Sequence, residues 1–175
     1  MNNDLVADLR LFLAHSLELE QESAERLREF ADTMRHHQQR ALAELFDELA
    51  TYSDLHAREV AAICEGHSLP HLKPWEFTWP DEEPPETGAY ARLRYEMRPE
   101  TALRLMIEQE SAAADFYAAV AAQSVDPEIV RYAAEFAAEE REHASLLQAR
   151  LAALLQEGSA APAPAPDIDP PHQPD

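Results

Sequence analysis

The chain has little cysteine and little glycine. Its 175 residues include one cysteine, Cys64, so a single chain can form neither a disulfide framework nor a zinc ribbon or iron–sulfur cluster. Cys64 lies near the end of an apolar helical pattern, and we interpret it as a small core residue. Only three glycines, beside abundant Ala, Leu and Glu and a hydrophobic share of 46%, favour helix over sheet.

Positive charge is also scarce. The chain has 14 Lys and Arg against 34 Asp and Glu, a formal net charge of −20. Such a surface repels nucleic acid and anionic membranes, so we expect neither as a partner. The charge would concentrate cations, although plain solubility is the simpler explanation and the one we prefer. No apolar run approaches the length of a membrane span and no basic region opens a signal peptide, so we expect a cytoplasmic protein.

Four long helical patterns are present, each with an apolar face at intervals of three and four residues. They run from about Asp4 to Arg35, from about Gln39 to Glu65, onward from Pro99, and from Asp126 to just before Gly158. Gly66 is expected to stop the second helix, Pro99 suits a first helical position, and Asp126 caps the fourth helix.

The connections between these helices predict a topology. Short connections join the first two helices and the last two, whereas a long stretch rich in Pro and aromatic residues separates the two pairs. Two antiparallel hairpins joined by one long crossover indicate an all-α, ferritin-like four-helix bundle over residues 1–157. The crossover aromatics Trp75, Phe77 and Trp79 either cover a flank of the bundle or form a dimer contact. Residues 158–175, rich in Pro, Ala and Asp, are expected to form a flexible tail.

The fourth pattern carries a Glu-x-x-His motif, Glu140 and His143, on its apolar stripe. A carboxylate and an imidazole one turn apart therefore point toward the expected core. Burying charge is costly unless another group compensates it, and a metal ion is the usual compensator for Glu with His. The motif alone is weak, and its place on the apolar face is what indicates a metal site.

Three more polar residues interrupt the apolar faces: Glu20, His56 and Glu110. Residues at one level of an antiparallel hairpin have their midpoint in the turn. The midpoint of Glu20 and His56 falls in the polar stretch 35–39, and that of Glu110 and the Glu-x-x-His motif falls at Asp126. Each set then lies roughly 22–25 Å from its turn at 1.5 Å per residue. The sequence therefore predicts five candidate ligands at one height of one bundle.

A repeated string complicates the choice of ligand on the first helix. Residues 20–24 and 108–112 both read Glu-Gln-Glu-Ser-Ala, which suggests a duplicated hairpin and would match Glu22 with Glu110. Periodicity instead places Glu22 on the polar side with His15, which we expect to be solvated, and Glu20 on the apolar side. We therefore take Glu20 as the ligand.

With these residues in this order, the chain resembles the rubrerythrin branch of the ferritin-like superfamily over roughly residues 5–156. The resemblance implies two irons held by one Glu from each of two helices and a Glu-x-x-His from each of the other two. Glu20 and Glu110 match the single carboxylates, Glu140 and His143 match one motif, and His56 matches half of the other. Tyr117, seven residues after Glu110, would orient a ligand carboxylate during catalysis.

The same resemblance implies a function. It suggests a non-haem iron protein that performs redox chemistry with peroxide, dioxygen or ferrous iron, as a peroxidase or ferroxidase, and that forms a homodimer. The four cysteines of a rubredoxin-like module are missing, so electrons would come from a separate donor protein.

A second departure concerns Ser53, which stands where the second Glu-x-x-His would need its bridging carboxylate. Three carboxylates leave two ferrous ions one negative charge short of balance, whereas a single divalent ion comes closer to balance with the help of a neighbouring proton or hydrogen-bond donor. Asp54 is a poor substitute because it lies about 100° around the helix. A serine hydroxyl, even with a bound water, is a weak ligand for iron, so we predict weaker or asymmetric binding of one or two irons, with other divalent metals possible.

Other functions stay open on the sequence. The chain is alternatively a ferritin-like scaffold or binding protein with an impaired metal site, or a protein that stores or senses metal without turnover. Without metal, the carboxylates and histidines would form a buried polar network in which at least one carboxyl pKa rises.

Overall fold

The structure, a computed structural model, describes residues 4–79, 84–85, 92, 94 and 97–160, with side chains described as far as residue 156. The described residues form four long α-helices and a short 3₁₀ turn in the crossover: α1 Leu9–His36, α2 Arg40–Cys64, the turn Pro74–Glu76, α3 Pro99–Gln123 and α4 Pro127–Ala160. The described residues contain no strand, so the all-α prediction is confirmed. Most of the expected flexible tail lies outside the described residues, which end at Ala160.

The predicted signals at three helix ends are confirmed. The Asp126 side chain accepts a hydrogen bond from the Glu128 backbone N–H at 2.8 Å and so caps the start of α4. Pro99 is the first residue of α3. Gly66 follows α2 with a φ of 98°, a left-handed conformation that glycine adopts without steric cost.

Two predicted helix ends were wrong. Helix α1 begins at Leu9 rather than near Asp4, because Asp4 starts a separate turn and the Asp8 side chain caps the helix by accepting from the Arg10 backbone N–H at 2.9 Å. Helix α4 continues to Ala160, past Gly158. A glycine inside a helix costs only about 1 kcal/mol relative to alanine, so it does not by itself end a helix.

The helices pack as two hairpins, α1 against α2 and α3 against α4, and this arrangement has the expected ferritin-like topology. The α1–α2 turn lies at the end of the bundle where α3 begins and α4 ends, because residues from these four segments share one apolar cluster. The α3–α4 turn lies at the opposite end, near the start of α1 and the end of α2. The chain therefore leaves α2 at one end of the bundle and enters α3 at the other.

The apolar core is divided into two clusters along the bundle axis. The first cluster, near the α1–α2 turn, includes Leu27, Met34, Phe46, Leu103, Met106 and Leu151. The second cluster, near the α3–α4 turn, includes Leu13, Leu19, Val60, Tyr117, Ile129 and Phe136. On every helix the candidate ligands lie between these clusters in sequence, so the polar residues form one layer across the middle of the bundle. Within the described ranges, no helix is both long and apolar enough to cross a membrane.

His15 corrects another expectation, because it is buried rather than solvated, with 1% of its surface exposed. The crossover covers it: the rings of Phe77 and Trp79 lie 5.0 and 5.2 Å from the His15 ring, edge to face. These two aromatic residues therefore cover a flank of the bundle, while Trp75 remains 76% exposed. Helical periodicity did not reveal this burial because the covering group comes from a distant segment.

Hydrogen bonds on both ring nitrogens favour neutral His15. Nδ1 lies 2.9 Å from the Leu11 carbonyl oxygen, to which it donates, and Nε2 accepts from the Thr78 backbone N–H at 3.2 Å. A second proton on the ring would point at the Thr78 N–H and break this contact. Burial accordingly lowers the pKa of His15 below its ordinary value of 6.5, although the bond to Leu11 partly opposes the shift.

The lowered pKa of His15 predicts that the stability of the fold depends on pH. Because the folded pKa of His15 is depressed, its contribution to the free energy of unfolding is fully present above about pH 6.5 and falls as the pH drops toward the folded pKa, by up to about 1.4 kcal/mol per pH unit. His15→Gln cannot titrate and should lose this component, whereas the exposed His71→Asn should keep it. Urea unfolding between about pH 7.5 and pH 5 measures both. Equal pH slopes in wild type and His15→Gln would contradict the prediction.

Candidate metal centre

Each helix contributes to the polar layer at the same level, as the midpoint argument predicts. Glu20 of α1 and Glu140 of α4 are almost fully buried, at 3% and 2% exposed. The His56 side chain of α2 is 13% exposed, and those of Glu110 of α3 and His143 of α4 are 18% and 22% exposed. The structure thus brings all five predicted ligands together.

Glu140 lies at the centre of the five side chains. Its Oε1 is 3.7 Å from His56 Nδ1, and its Oε2 is 3.5 Å from His143 Nδ1. His56 Nδ1 also lies 3.6 Å from Glu20 Oε1, and His143 Nδ1 lies 3.5 Å from Glu110 Oε2. The site therefore consists of two halves, Glu20 with His56 and Glu110 with His143, which share Glu140.

The spacing of these atoms fits bound metal better than direct hydrogen bonding. The four contacts, at 3.5–3.7 Å, are longer than ordinary N–H···O hydrogen bonds. Ligand atoms held about 2.1 Å from one ion lie roughly 3–4 Å apart. Glu140 Oε1 is buried and has no hydrogen-bond partner in the part of the chain that the structure describes. Imidazole nitrogens with carboxylate oxygens are also donors that suit iron. The residues present therefore fit iron.

The pKa shifts show how the charges of the polar layer are balanced without metal. Burial raises the pKa of Glu20 to about 8 and that of Glu110 to about 7, against the opposing effect of the neighbouring histidines. Burial also disfavours the charged form of Glu140, but its contacts with His143 and His56 outweigh burial and hold its pKa at about 2. The same carboxylates raise the pKa of His56 to about 11 and of His143 to about 9, despite burial. Without metal, the five side chains therefore form a polar network in which the pKa values of Glu20 and Glu110 are raised, as the sequence predicts for at least one carboxyl group.

Ser53 lies beside the layer in the place of a fourth carboxylate. Its Oγ is 3.2 Å from Ser23 Oγ and donates a long hydrogen bond of 3.5 Å to the Leu49 carbonyl oxygen. The neighbouring Asp54 does not replace the missing group, because it pairs with Arg28 on the outer surface. The prediction that Asp54 is a poor substitute therefore agrees with its position.

A cavity of about 220 Å³ opens next to the site. Its walls include all five predicted ligands and Ser53, together with Glu48, Leu49, Tyr52, Leu146, Leu147 and Arg150. Tyr52 approaches His143 with ring centroids 6.0 Å apart, and Arg150 pairs with Glu48 between α4 and α2. Sequence reasoning missed these wall residues, because most of them are ordinary surface or core types at helical spacing.

Tyr117 is fully buried, and its ring packs against those of Phe12 and Phe136 in the second cluster. This position accounts for the aromatic character of the residue. Its predicted role in orienting a ligand carboxylate depends on its hydroxyl group and stays a prediction.

A second group of potential ligands lies toward the surface. His56, Glu59 and Glu139 can bring one donor atom each within 4.8 Å of one another, as can His56, Glu140 and His143 in the inner layer. His56 belongs to both groups. Sequence reasoning missed Glu59 and Glu139, since exposed acidic residues are common in so acidic a chain.

Two antiparallel hairpins, a long crossover and a central layer of Glu and His define a ferritin-like bundle with a carboxylate–histidine site. A family model described as Rubrerythrin matches residues 12–152, and the chain belongs to this family. It is also similar to the crystal structure, at 2.00 Å resolution, of an uncharacterized conserved protein from Magnetospirillum magnetotacticum MS-1. The identity is 37%, the match covers 90% of this chain and 98% of that chain, and the TM-score is 0.64. No curated protein matches significantly.

The prediction that Glu20, rather than Glu22, is the ligand on α1 can be tested directly. Glu20 is buried beside His56, whereas Glu22 pairs with Arg26 on the outer side of α1 at 3.7 Å. Glu20→Gln should weaken iron binding by at least about tenfold, because it removes a carboxylate donor, and Glu22→Gln should leave it unchanged. Anaerobic equilibrium dialysis with ferrous iron measures the difference. The opposite ranking of the two variants would assign the ligand to Glu22.

Proposed function

We propose that this protein is a non-haem iron carboxylate protein that performs redox chemistry with peroxide, dioxygen or ferrous iron. The observation that carries the proposal is that three carboxylates and two imidazoles from all four helices meet in one layer, in which Glu140 is shared by both halves of the site. Membership of the rubrerythrin family supports iron as the metal. Glu20, His56, Glu110, Glu140 and His143 would hold one or two ions.

The protein's own groups define the environment of the reaction. Iron, when bound, supplies electrons that peroxide or dioxygen can accept. Glu140 spans the two halves of the site through its two oxygens, and the apolar clusters above and below the layer exclude water. The cavity beside Tyr52 gives a small oxidant access between α2 and α4. A separate protein would return electrons, since the single cysteine cannot support a rubredoxin-like module.

The proposed assembly is a homodimer. The family resemblance motivates it, and the exposed Trp75 of the crossover supports it, because aromatic residues are enriched in the buried centres of interfaces.

One observation favours a second candidate function. The metal-free network already balances Glu140 against His56 and His143, and Ser53 removes one carboxylate, so a scaffold that folds without iron is chemically reasonable. Such a scaffold would be stable and inert toward peroxide with or without iron.

Peroxide turnover separates these two functions. Wild type reconstituted anaerobically with ferrous iron should consume hydrogen peroxide in proportion to its iron content. Glu140→Gln should lose iron and turnover together because Glu140 serves both halves of the site, while Glu142→Gln, two residues away on the exposed side, should behave as wild type. Iron-loaded wild type that leaves peroxide unconsumed would favour the scaffold.

Tyr117→Phe tests the proposed positioning role. The substitution keeps the ring that packs against Phe12 and Phe136 and removes only the hydroxyl group. We expect unchanged iron content and peroxide turnover lower by about tenfold, because a misoriented ligand affects the reaction more than binding. Tyr132→Phe on α4 is the matched control. Equal turnover in Tyr117→Phe and wild type would restrict Tyr117 to core packing.

A further inference from the structure

We propose that the cavity beside Ser53 binds a small monocarboxylate, which supplies to the iron site the carboxylate that this chain lacks. This inference rests on the proposed function, since it requires iron in the polar layer. The ligand class is an acetate-sized anion with one carboxylate group and a short apolar part.

The charge of the site creates the need for such an anion. When ionised, Glu20, Glu110 and Glu140 provide three negative charges, against four positive charges on two ferrous ions. These three carboxylates lie in a layer between two apolar clusters, where an unbalanced charge is costly. One monocarboxylate would supply the missing negative charge.

The space for this anion is present next to the position of the missing side chain. Ser53 stands one helical turn before His56, where a carboxylate would complete a second Glu-x-x-His motif. Serine leaves the volume of the longer side chain empty, and the cavity of about 220 Å³ reaches both Ser53 and the five ligands. A single water requires only about 10–15 Å³ of such space, so the cavity has room for a small organic anion.

The walls of the cavity match both ends of a short carboxylic acid. The Ser53 hydroxyl can donate to a carboxylate oxygen, because its present bond to the Leu49 carbonyl oxygen is long, at 3.5 Å, and Ser23 can be the donor in the serine pair. Leu49 and Leu147 provide apolar surface for a short alkyl group. Arg150, paired with Glu48, places a further positive charge on the wall of the cavity.

The test measures binding of ferrous iron by the full chain, kept anaerobic, in sodium acetate and in sodium chloride of equal ionic strength. Wild type should bind a first ion tightly in both salts and the second ion at least about tenfold more tightly in acetate. Ser53→Glu should bind two ions in both salts without an effect of acetate, because the new side chain supplies the carboxylate and fills the space. Ser53→Ala, which keeps the space but loses the hydroxyl donor, should show a smaller acetate effect than wild type.

A second readout is independent of iron stoichiometry. Isotope-labelled acetate should show a carboxyl resonance broadened by iron-loaded wild type and left sharp by iron-loaded Ser53→Glu. Circular dichroism of each variant confirms that the helices are intact. Butyrate compared with acetate measures the length that the apolar wall accepts.

Three outcomes overturn the inference. If acetate leaves the second-ion affinity of wild type unchanged while the first ion binds, the monocarboxylate site is absent and the proposed function stands. If acetate tightens iron binding equally in wild type and Ser53→Glu, its effect is not at Ser53. If neither salt supports any iron binding in wild type, the proposed iron function falls and this inference falls with it.

Discussion

The cost of burying ionisable groups is the constraint on which this structure depends. Five such side chains meet in the middle of a helical bundle, between two clusters of buried apolar side chains. Glu140 shows how the fold meets this cost, because it is 2% exposed and its contacts with His143, His56 and Glu110 keep its pKa low despite burial. Any function of the site must use the same arrangement, since removing one partner leaves another charge buried without compensation.

The same constraint explains why the site is divided into two similar halves. Each hairpin contributes one single carboxylate and one imidazole, and only α4 contributes a second carboxylate. If the two hairpins matched fully, α2 would carry a carboxylate at position 53, one turn before His56, just as α4 carries Glu140 one turn before His143. The serine found there leaves the layer with one negative charge fewer, and it lines the cavity beside the five side chains.

The fold and the five central residues could be predicted from the sequence because both follow from helical periodicity. An apolar stripe interrupted by Glu or His at one height is visible without coordinates, and it distinguished Glu20 from Glu22 where the repeated string did not. His15 could not be predicted in this way, since its burial depends on Phe77 and Trp79 of the crossover. The cavity was also beyond prediction, because its walls combine residues such as Tyr52 and Arg150 whose spacing has no distinctive pattern. The exact helix ends depended on local capping by Asp8, which competes with the apolar pattern.

The central layer has a consequence for how the two hairpins align. Sliding one helix by a single turn moves its side chains about 5.4 Å along the axis. Such a shift of α4 would carry Glu140 and His143 together away from His56 and place Glu140 among the apolar side chains of a neighbouring cluster. Alanine- and leucine-rich faces tolerate sliding, since each turn resembles the next, whereas a single polar layer has only one position in which its charges meet. The five side chains of the candidate metal centre therefore also favour one axial register of the bundle.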